Sequence, residues 1–453
     1  MKDALRTRLE SFMARLERED VCMHGWMLSV GGTVKAEAYY APFRKGEMHR
    51  VFSVSKTMIG IGIGILIADG KLRLDDRIAP YFEDWLPHGP DAQLARLTVH
   101  DLLRMTTNHS SDAYDMERDE IWAQSYFKSP STHEPGTVFH YDTSGVQVLT
   151  ELLHRVSGKD PLDFLNERLF LPAGANDPKT WIRDPSGMCW GGSGLCMSLR
   201  DLHCVALLCM QGGNEIIPAD YLRQMTALQT PTPLRENPEE RYGYGLMCWR
   251  TRCGWSMYGL GGQLAVCCPE KNALLCTMAD TRLDPFGVQK IYDAFFEEVY
   301  PFIGKEDMPF ESFARQTLSL PSGVAGRCEA EGPFVFEENP LRLRSIELKP
   351  DCVIIENEHG KGTLAFAFGH NREGSFPCFP NEPTIASACW ITPDCLRIRC
   401  FLIGLSPCGV DMLLAFRRTE RGRCVTVQAR RSPPSEEPVI RHYEGVATGF
   451  AIS

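Results

Sequence analysis

Leu5, Leu9, Phe12, Met13 and Leu16 recur at intervals of three and four, which predicts an amphipathic helix over residues 3–18 with one apolar stripe to lay on a sheet. Two stretches of strand character follow, 25–30 and 34–40. Gly31-Gly32 between them is a two-residue turn signal, so the pair predicts a β-hairpin. From Ser53 to about Gln211 the apolar period turns helical, over 57–68, 99–105, 146–156, 161–169 and 198–211; Ser198, three residues before Asp201, has the form of a capped helix start. The pattern then shortens again. Residues 243–250, 255–257, 264–268 and 273–278 are brief apolar or alternating runs broken by Gly, Pro and Asn, and predict three or four antiparallel strands closed by a helix over 287–299. A hairpin, a large helical insertion and a return to strands predict an α/β fold of the α+β sandwich kind, its antiparallel sheet assembled from both ends of one domain, 1–304.

At 300–322 the character changes, with Pro301, Pro309 and Pro321 among mixed polar residues, and 305–320 is expected to be a linker. Beyond it the helical period is lost. Short strand-like runs at 341–344, 352–355, 364–368, 395–401, 412–416 and 424–429, parted by turn residues such as Asn357, Gly360, Gly369 and Gly422, predict a small all-β domain over 321–453, a lipocalin-like barrel or a sandwich. The clearest charge-free apolar run, 58–68, falls short of the ~20 residues that a bilayer crossing needs. It predicts a buried helix, and no membrane partner is expected.

Composition narrows the function. The chain has 453 residues, 43% hydrophobic and 23% charged, as in a soluble globular protein. Lys plus Arg total 48 against 58 for Asp plus Glu, a net charge of −10, and no basic block offers a grip on phosphates, so nucleic acid is not an expected partner. Eighteen cysteines are spread along a chain whose start, MKDALRTRLESFMARLERED, has no apolar leader core; reduced thiols and a cytoplasmic location are expected. There is no C-x-x-C and no H-E-x-x-H, and His133-Glu134-Pro135-Gly136 lacks the second histidine, so no metal or other cofactor is implied. His100, His109, His140 and His203 cannot be assembled into a triad from sequence, and no G-x-S-x-G elbow is present.

The sharpest chemical signal is Ser53-Val54-Ser55-Lys56. On the first turn of a helix, residues three apart share a face, so the Ser53 hydroxyl and the Lys56 amine can meet. The helix N-terminus supplies N–H groups for a developing oxyanion, and a desolvated lysine can serve as a base. A chain of this length holds about one S-x-x-K by chance, and Ser125-Tyr126-Phe127-Lys128 is such a decoy, in a polar and aromatic connecting region. Ser53 instead lies where strand character gives way to an apolar helix with glycines at 60, 62 and 64. Those glycines complete no dinucleotide fingerprint and suit a central helix in close contact with its neighbours.

HRVFSVSKTMIGIGIGILIADGKLRLDDRIAPYFEDWLP, LTVHDLLRMTT, EPGTVFHYDTSGVQVLTELL, GGSGLCMSLRDL, YGYGLMCW and YGLGGQLAVCCPE resemble, in order, successive blocks of the serine β-lactamase and penicillin-binding-protein superfamily over roughly residues 20–300. The likeness is to its class-C-related esterases, D-aminopeptidases and 6-aminohexanoate-dimer hydrolases. The resemblance implies Ser53 as acyl-accepting nucleophile, Lys56 as its base and Tyr141, of Tyr141-Asp142-Thr143, as the phenol that relays the proton to the leaving group, with its phenolate kept accessible by the Lys56 charge. Thr143 stands where the family has an asparagine amide. The third motif aligns with Leu260-Gly261-Gly262, without a cation at its first position for a substrate carboxylate. The backbone N–H groups of Ser53 and Gln263 are the implied oxyanion donors, a shift of one residue giving Gly262, and Trp190 opens a glycine-rich stretch that borders the cleft in similar sequences.

The expectation is a serine hydrolase that forms an acyl-enzyme on a carboxylic ester or small amide, related to β-lactamases but not itself one. A D-amino-acid amidase or peptidase on cell-wall fragments, and a non-catalytic binding or sensor protein with a degraded site, are the alternatives; homo-oligomer formation is left open.

Overall fold

The N-terminal apolar stripe packs as its spacing requires. Helix α1 (Ala4–Arg18) buries Leu5, Leu9, Phe12 and Leu16, with Phe12 edge-on to Trp26 at 5.7 Å. The computed structural model of the protein describes residues 4–114, 116, 119–282, 284–305, 309–323, 332–358, 360–376, 379–404, 408–431 and 445–451; Asp3 and parts of the expected 321–453 domain lie outside them. Strands β1 (Cys22–Val30) and β2 (Thr33–Ala41) form the expected hairpin, with Gly31 at φ +61° and Gly32 at φ +76°, both left-handed as its two-residue turn demands. Strand β3 (His49–Arg50) leads into α2 (Val54–Ala68), and α3 (Val99–Leu103), α4 (Trp122–Lys128), α5 (Thr143–Ser157) and α6 (Pro161–Leu165) follow. Then come β4 (Thr180–Trp181), β5 (Leu195–Met197), α7 (Leu199–Met210) and α8 (Ala219–Thr226). The chain returns through β6 (Trp249–Thr251), β7 (Gly254–Gly259), β8 (Gln263–Cys268), β9 (Ala273–Asp280) and α9 (Gly287–Ala294), and β10 (Glu311–Ser312) and β11 (Gln316–Thr317) run beside β2.

The main sheet has the order β10-β2-β1-β9-β8-β7-β6, with β11 also on β2. Chain ends some 250 residues apart therefore meet at the β1–β9 pair, where Leu28 faces Leu275. Helices α1 and α9 cover one face and the helical insertion the other. A small second sheet, β3-β5-β4, joins the turn before α2 to the insertion.

Helix α2 is the centre of the insertion: every residue from Val54 to Leu66 is buried. Three glycines in a helix interior cost ~0.5–1 kcal/mol each relative to alanine, and packing explains them. A Cβ on Gly60 would lie 2.8 Å from Met247, on Gly62 2.5 Å from Leu153 of α5, and on Gly64 2.3 Å from the Tyr221 ring of α8. The Tyr221 hydroxyl donates to the Gly60 carbonyl at 2.6 Å.

Several expectations are corrected. Residues 243–248 are no strand: the run is a buried loop in which Tyr244 bridges Thr230 and Trp249, Met247 takes φ +57°, and a Cβ on Gly245 would meet the Met225 carbonyl at 2.0 Å. Its apolar residues are there to pack against α2 and α8, which imitates a strand pattern. The helices expected at 161–169 and 287–299 widen into π turns after Leu165 and Ala294. The expected linker gives its backbone to the open edge of β2 as β10 and β11, which covers an exposed strand edge. Cys253 and Cys268 are joined as a disulfide across the β6–β7 turn and the end of β8, whereas 14 of the described cysteines are free, so the expectation of wholly reduced thiols does not hold.

The second body contains β12 (Pro333–Phe336), β13 (Leu343–Lys349), β14 (Cys352–Asn357), β15 (Gly360–Ala365), β16 (Ala367–Phe368), β17 (Arg372–Phe376), β18 (Phe379–Thr392), β19 (Cys395–Leu402), β20 (Cys408–Thr419), β21 (Gly422–Arg431) and β22 (Gly445–Ala451). They make a single 11-stranded sheet whose ends nearly close, since β15 lies against β17. Phe334, Ile346, Val353, Leu396, Ile398 and Val425 are among the side chains that fill it. The strand expected at 341–344 starts at Leu343, after Arg342 at φ +50°. Arg399 ties the two bodies together: its guanidinium pairs with Asp20 at 2.7 Å and with Asp411 at 3.3 Å. A cavity of about 360 Å³ lies at this junction, walled by Asp20, Cys22, Asp280, Arg397 and Asp411 among others, and Ser53 is not among its walls. Among the described residues, no helix is long and apolar enough to cross a membrane.

Gly62→Ala and Gly64→Ala are each expected to lower stability by ~1–3 kcal/mol despite the better helix propensity of alanine, because the added methyl has no room; urea unfolding measures this. Asp142 caps α5 and accepts from Thr107 Oγ1 at 2.8 Å, from Ser144 Oγ and from the Gly145 N–H at 3.0 Å, yet burial outweighs these donors and raises its pKa from 3.8 to about 6. The folded state then holds this proton more tightly than the unfolded chain, so the contribution of Asp142 to stability is full below about pH 4 and falls as pH rises to about 6. The difference in unfolding free energy between wild type and Asp142→Asn should drop by ~3 kcal/mol over that window, as read from urea curves at stepped pH.

Candidate active site

Ser53 sits at the N-cap of α2, and its side chain makes no capping hydrogen bond, which leaves the hydroxyl to other partners. Phe52 before it has φ +46°, a left-handed residue in the turn that delivers the serine from β3 to the helix. Lys56, one turn on and 2% exposed, donates from Nζ to Ser53 Oγ at 3.1 Å and to the Gly192 carbonyl at 2.6 Å. Tyr141, just before α5, presents its ring 4.9 Å from Lys56 Nζ, and its phenol interacts with the Ser53 hydroxyl. The structure thus brings the three residues named from sequence into one cluster. The decoy Ser125 lies on α4, where its hydroxyl donates to Asp119.

Burial raises the Tyr141 pKa, and Glu240 adds to the effect; the Ser53 hydroxyl and the Arg235 charge pull the other way without reversing it. Where an accessible phenolate was expected, burial favours the neutral phenol of Tyr141. It stacks on Trp249 at 5.7 Å, within an aromatic wall that includes Phe139 and Tyr244.

Thr143 is the first residue of α5, and its N–H donates to Asp112 Oδ1 at 2.6 Å. Its methyl group fills the space where a Cβ on Gly192 would lie, 2.3 Å away. A Cβ on Gly191 would be 1.7 Å from Thr150 Oγ1. The glycines after Trp190 therefore let this segment run close along α5 and bring the Gly192 carbonyl to Lys56. Trp190 itself is buried; its indole N–H donates to the Tyr114 hydroxyl at 3.3 Å, and the Arg50 guanidinium lies 4.9 Å from its ring.

The β7–β8 turn comes up beside the turn that carries Ser53. A Cβ on Gly259 would lie 2.2 Å from the Val51 carbonyl, so the closest backbone approach falls there, one residue before Leu260. Leu260 is exposed; Gly261 and Gly262 have φ +85° and +96°, and their carbonyls accept from the Thr281 N–H at 3.0 Å and Thr277 Oγ1 at 2.7 Å. Gly262 donates its own N–H to the Gly259 carbonyl at 3.3 Å. Gln263 pairs with Gly259 in register, and its side-chain amide is taken by the carbonyls of Leu260 and Ala279 and by the Ala279 N–H.

Sequence reasoning did not find the cations behind the turn. Arg50, 2% exposed, lies 4.5 Å from the Phe52 ring and donates to the Ser193 carbonyl at 3.0 Å. Arg282, buried and paired with Asp280 at 2.8 Å, lies 5.2 Å from the same ring. His24 and His49 form a second buried element: His24 Nδ1 is 2.8 Å from His49 Nε2, and His49 Nδ1 donates to the Arg50 carbonyl at 2.9 Å. Burial lowers the pKa of both, that of His49 to about 4, so each is neutral near pH 7. No local spacing signals these contacts, because every partner is remote in sequence or of ordinary type. Among the described residues, no three His, Cys, Asp or Glu side chains converge as metal ligands.

Comparison with known proteins places the fold. The 6-aminohexanoate-dimer hydrolase of Paenarthrobacter ureafaciens is 27% identical over 226 residues, 47% of this chain and 57% of that enzyme, so the match spans little more than half of the relative's length. The D-amino acid amidase of Ochrobactrum anthropi has the same fold, with a TM-score of 0.52 at 18% identity over 65% of this chain and 99% of that one. The octameric penicillin-binding protein homologue of Pyrococcus abyssi matches both bodies, with a TM-score of 0.50 at 15% identity over 98% of this chain and 99% of that one. The Beta-lactamase family model matches residues 14–290, more than half of the sequence and the whole of the Ser53, Lys56 and Tyr141 cluster, and the chain belongs to the Beta-lactamase family.

Proposed function

We propose that the protein is a serine hydrolase that cleaves a carboxylic ester or small amide through an acyl-enzyme on Ser53. The observation that carries this reading is the Ser53 hydroxyl held 3.1 Å from a buried lysine amine at a helix N-terminus. In the proposed first step Ser53 Oγ bonds to the substrate carbonyl carbon, and its proton passes to the Lys56 amine. The carbonyl oxygen becomes an oxyanion at the backbone N–H of Ser53 and a second N–H from the β7–β8 turn. Gln263 is the donor the motif indicates; Leu260, next to the closest approach at Gly259, is the other candidate. Gly262 is not, because its N–H is directed to the Gly259 carbonyl.

Tyr141, as a neutral phenol, gives its proton to the leaving oxygen or nitrogen as the carbonyl carbon's bond to it breaks, and Lys56 returns a proton to Tyr141. Water then adds to the acyl carbon, its proton is taken up by Lys56, and the acid departs with Ser53 reprotonated. Thr143 packs on Gly192 and so positions the Lys56 acceptor. The names of the 6-aminohexanoate-dimer hydrolase and the D-amino acid amidase to which the chain is similar support a hydrolysed amide as substrate. A cytoplasmic site of action is part of this proposal and is supported by the many free thiols. Self-association is also proposed, on the likeness to an octameric protein over nearly the whole chain.

A fluorophosphonate probe should add once to the wild type and not to Ser53→Ala, as read by intact mass, and nitrophenyl ester turnover should fall at least ~10³-fold in the variant. A folded wild type that takes up no adduct would instead favour a binding protein. Tyr141→Phe should slow an anilide ~10²-fold or more and a nitrophenyl ester far less, since nitrophenolate leaves without a proton; initial rates on the paired substrates decide this.

A further inference from the structure

The acceptor of Lys56, the Gly192 carbonyl, belongs to a segment with little stiffness of its own, because Gly191, Gly192 and Gly194 follow one another closely along it. Its place has to come from its contacts. Thr143 packs on Gly192 from α5, Gln147 Oε1 takes the Gly191 N–H at 3.0 Å, and the Trp190 carbonyl takes the N–H groups of Ser193 and Gly194 at 3.2 and 2.8 Å. Ser193, the residue after the acceptor, is held by Arg50. The Arg50 Nε donates to the Ser193 carbonyl at 3.0 Å and Nη2 donates to Ser193 Oγ at 3.2 Å, so two limbs of a planar fork close on a single residue. The guanidinium carbon lies 4.5 Å from the centre of the Phe52 ring, just before Ser53, and 4.9 Å from that of Trp190, just before Gly191. Arg50 is itself firmly placed, since β3 pairs it with Cys196 of β5 and its carbonyl accepts from His49 Nδ1 at 2.9 Å. Arg282 also reaches the Phe52 ring, but its ion pair is with Asp280 of β9 and not with the acceptor segment.

We infer that Arg50 is a positioning residue for acyl transfer: through Ser193 it sets the Gly192 carbonyl, and through that carbonyl the direction in which the Lys56 amine meets Ser53. The inference rests on the reading of Ser53 as nucleophile and Lys56 as its base. A neutral amine that takes the serine proton has one lone pair, and this pair has to face Ser53 Oγ while an N–H is turned elsewhere. The Gly192 carbonyl, 2.6 Å from Nζ, receives that N–H and so settles the orientation of the amine. The Gly192 carbonyl and the Ser193 N–H belong to one peptide plane, so a shift of Ser193 swings the carbonyl with it. A change at Arg50 therefore reaches the base without touching either the base or the substrate. A misdirected base slows the chemical step and leaves the binding of the reactant nearly as it was.

The test separates the rate of the chemical step from binding and from stability. Wild type, Arg50→Met, Arg50→Lys and Ser193→Ala are labelled with a fluorophosphonate over a range of probe concentrations, and each is unfolded in urea. In Arg50→Met, which keeps the length of the side chain and removes the fork, the saturated labelling rate should fall ~10²-fold while the half-saturating concentration stays within about a factor of 3. Arg50→Lys, with an ammonium in place of the fork, should recover part of that rate. Ser193→Ala loses only the Oγ limb and should be slowed ~3-fold or more, which keeps the inference open to test where the Arg50 variants do not fold. Leu9→Ala, a core truncation on the opposite face of the main sheet, shows what lost stability does by itself and should label at the wild-type rate. A wild-type labelling rate in folded Arg50→Met or in Ser193→Ala overturns the inference, as does a loss confined to the half-saturating concentration or an equal loss in Leu9→Ala. Failure of the hydrolase reading shows separately, as ester turnover that persists in Ser53→Ala.

Discussion

A lysine amine has to be kept inside the protein, 3.1 Å from the Ser53 hydroxyl and 2.6 Å from the Gly192 carbonyl, and much of the core follows from that constraint. A buried amine needs its partners from the protein, since water is not there to supply them. The helix that carries it must therefore be enclosed on all sides. Helix α2 meets this by alternating isoleucine with glycine, so that Met247, Leu153 and Tyr221 approach its backbone where a side chain would have held them off. The acceptor is supplied in the same way. Gly191 and Gly192 lie so close to α5 that no Cβ fits, which is how a loop carbonyl reaches a lysine on a different helix.

The serine end of this contact is held by charge and aromatic faces. Phe52 keeps a left-handed backbone between two buried guanidinium groups, and each of these is tied to a different element: Arg50 to the loop after Trp190, Arg282 to the end of β9. The His24 and His49 pair adds a neutral hydrogen-bond link from β1 to the Arg50 carbonyl. The turn that presents Ser53 is thereby fastened to the central strands of the sheet. On the proposed reading, with Ser53 as nucleophile and Lys56 as its base, this support holds the two within reach, because small displacements cost catalysis heavily.

The β-rich second body stands apart from that cluster. Its junction with the first is made by Arg399 between Asp20 and Asp411, by a small apolar contact of Cys22, Phe43, Leu318, Ile385 and Phe401, and by a cavity with walls of both signs. Such a junction, charged and only partly packed, is of the kind found between domains that fold as separate cores.

The apolar stripe of α1, the Gly31-Gly32 hairpin, the buried α2 helix and the S-x-x-K turn were legible in the sequence because each depends on residues a few positions apart. Tyr141 was legible only through its flanking blocks. The loop at 243–248 misled as a strand, since burial against α2 imposes an apolar run whatever the backbone does. Gly192 as acceptor, and Arg50 and Arg282 around Phe52, left no local signal. By itself the sequence determined most of the elements, the family and the closeness of Ser53 to Lys56, because these rest on short-range spacing and side-chain chemistry. Only the tertiary structure decided the Gly192 partner of Lys56 and the burial that favours a neutral Tyr141, because both are set by segments that meet from distant parts of the chain.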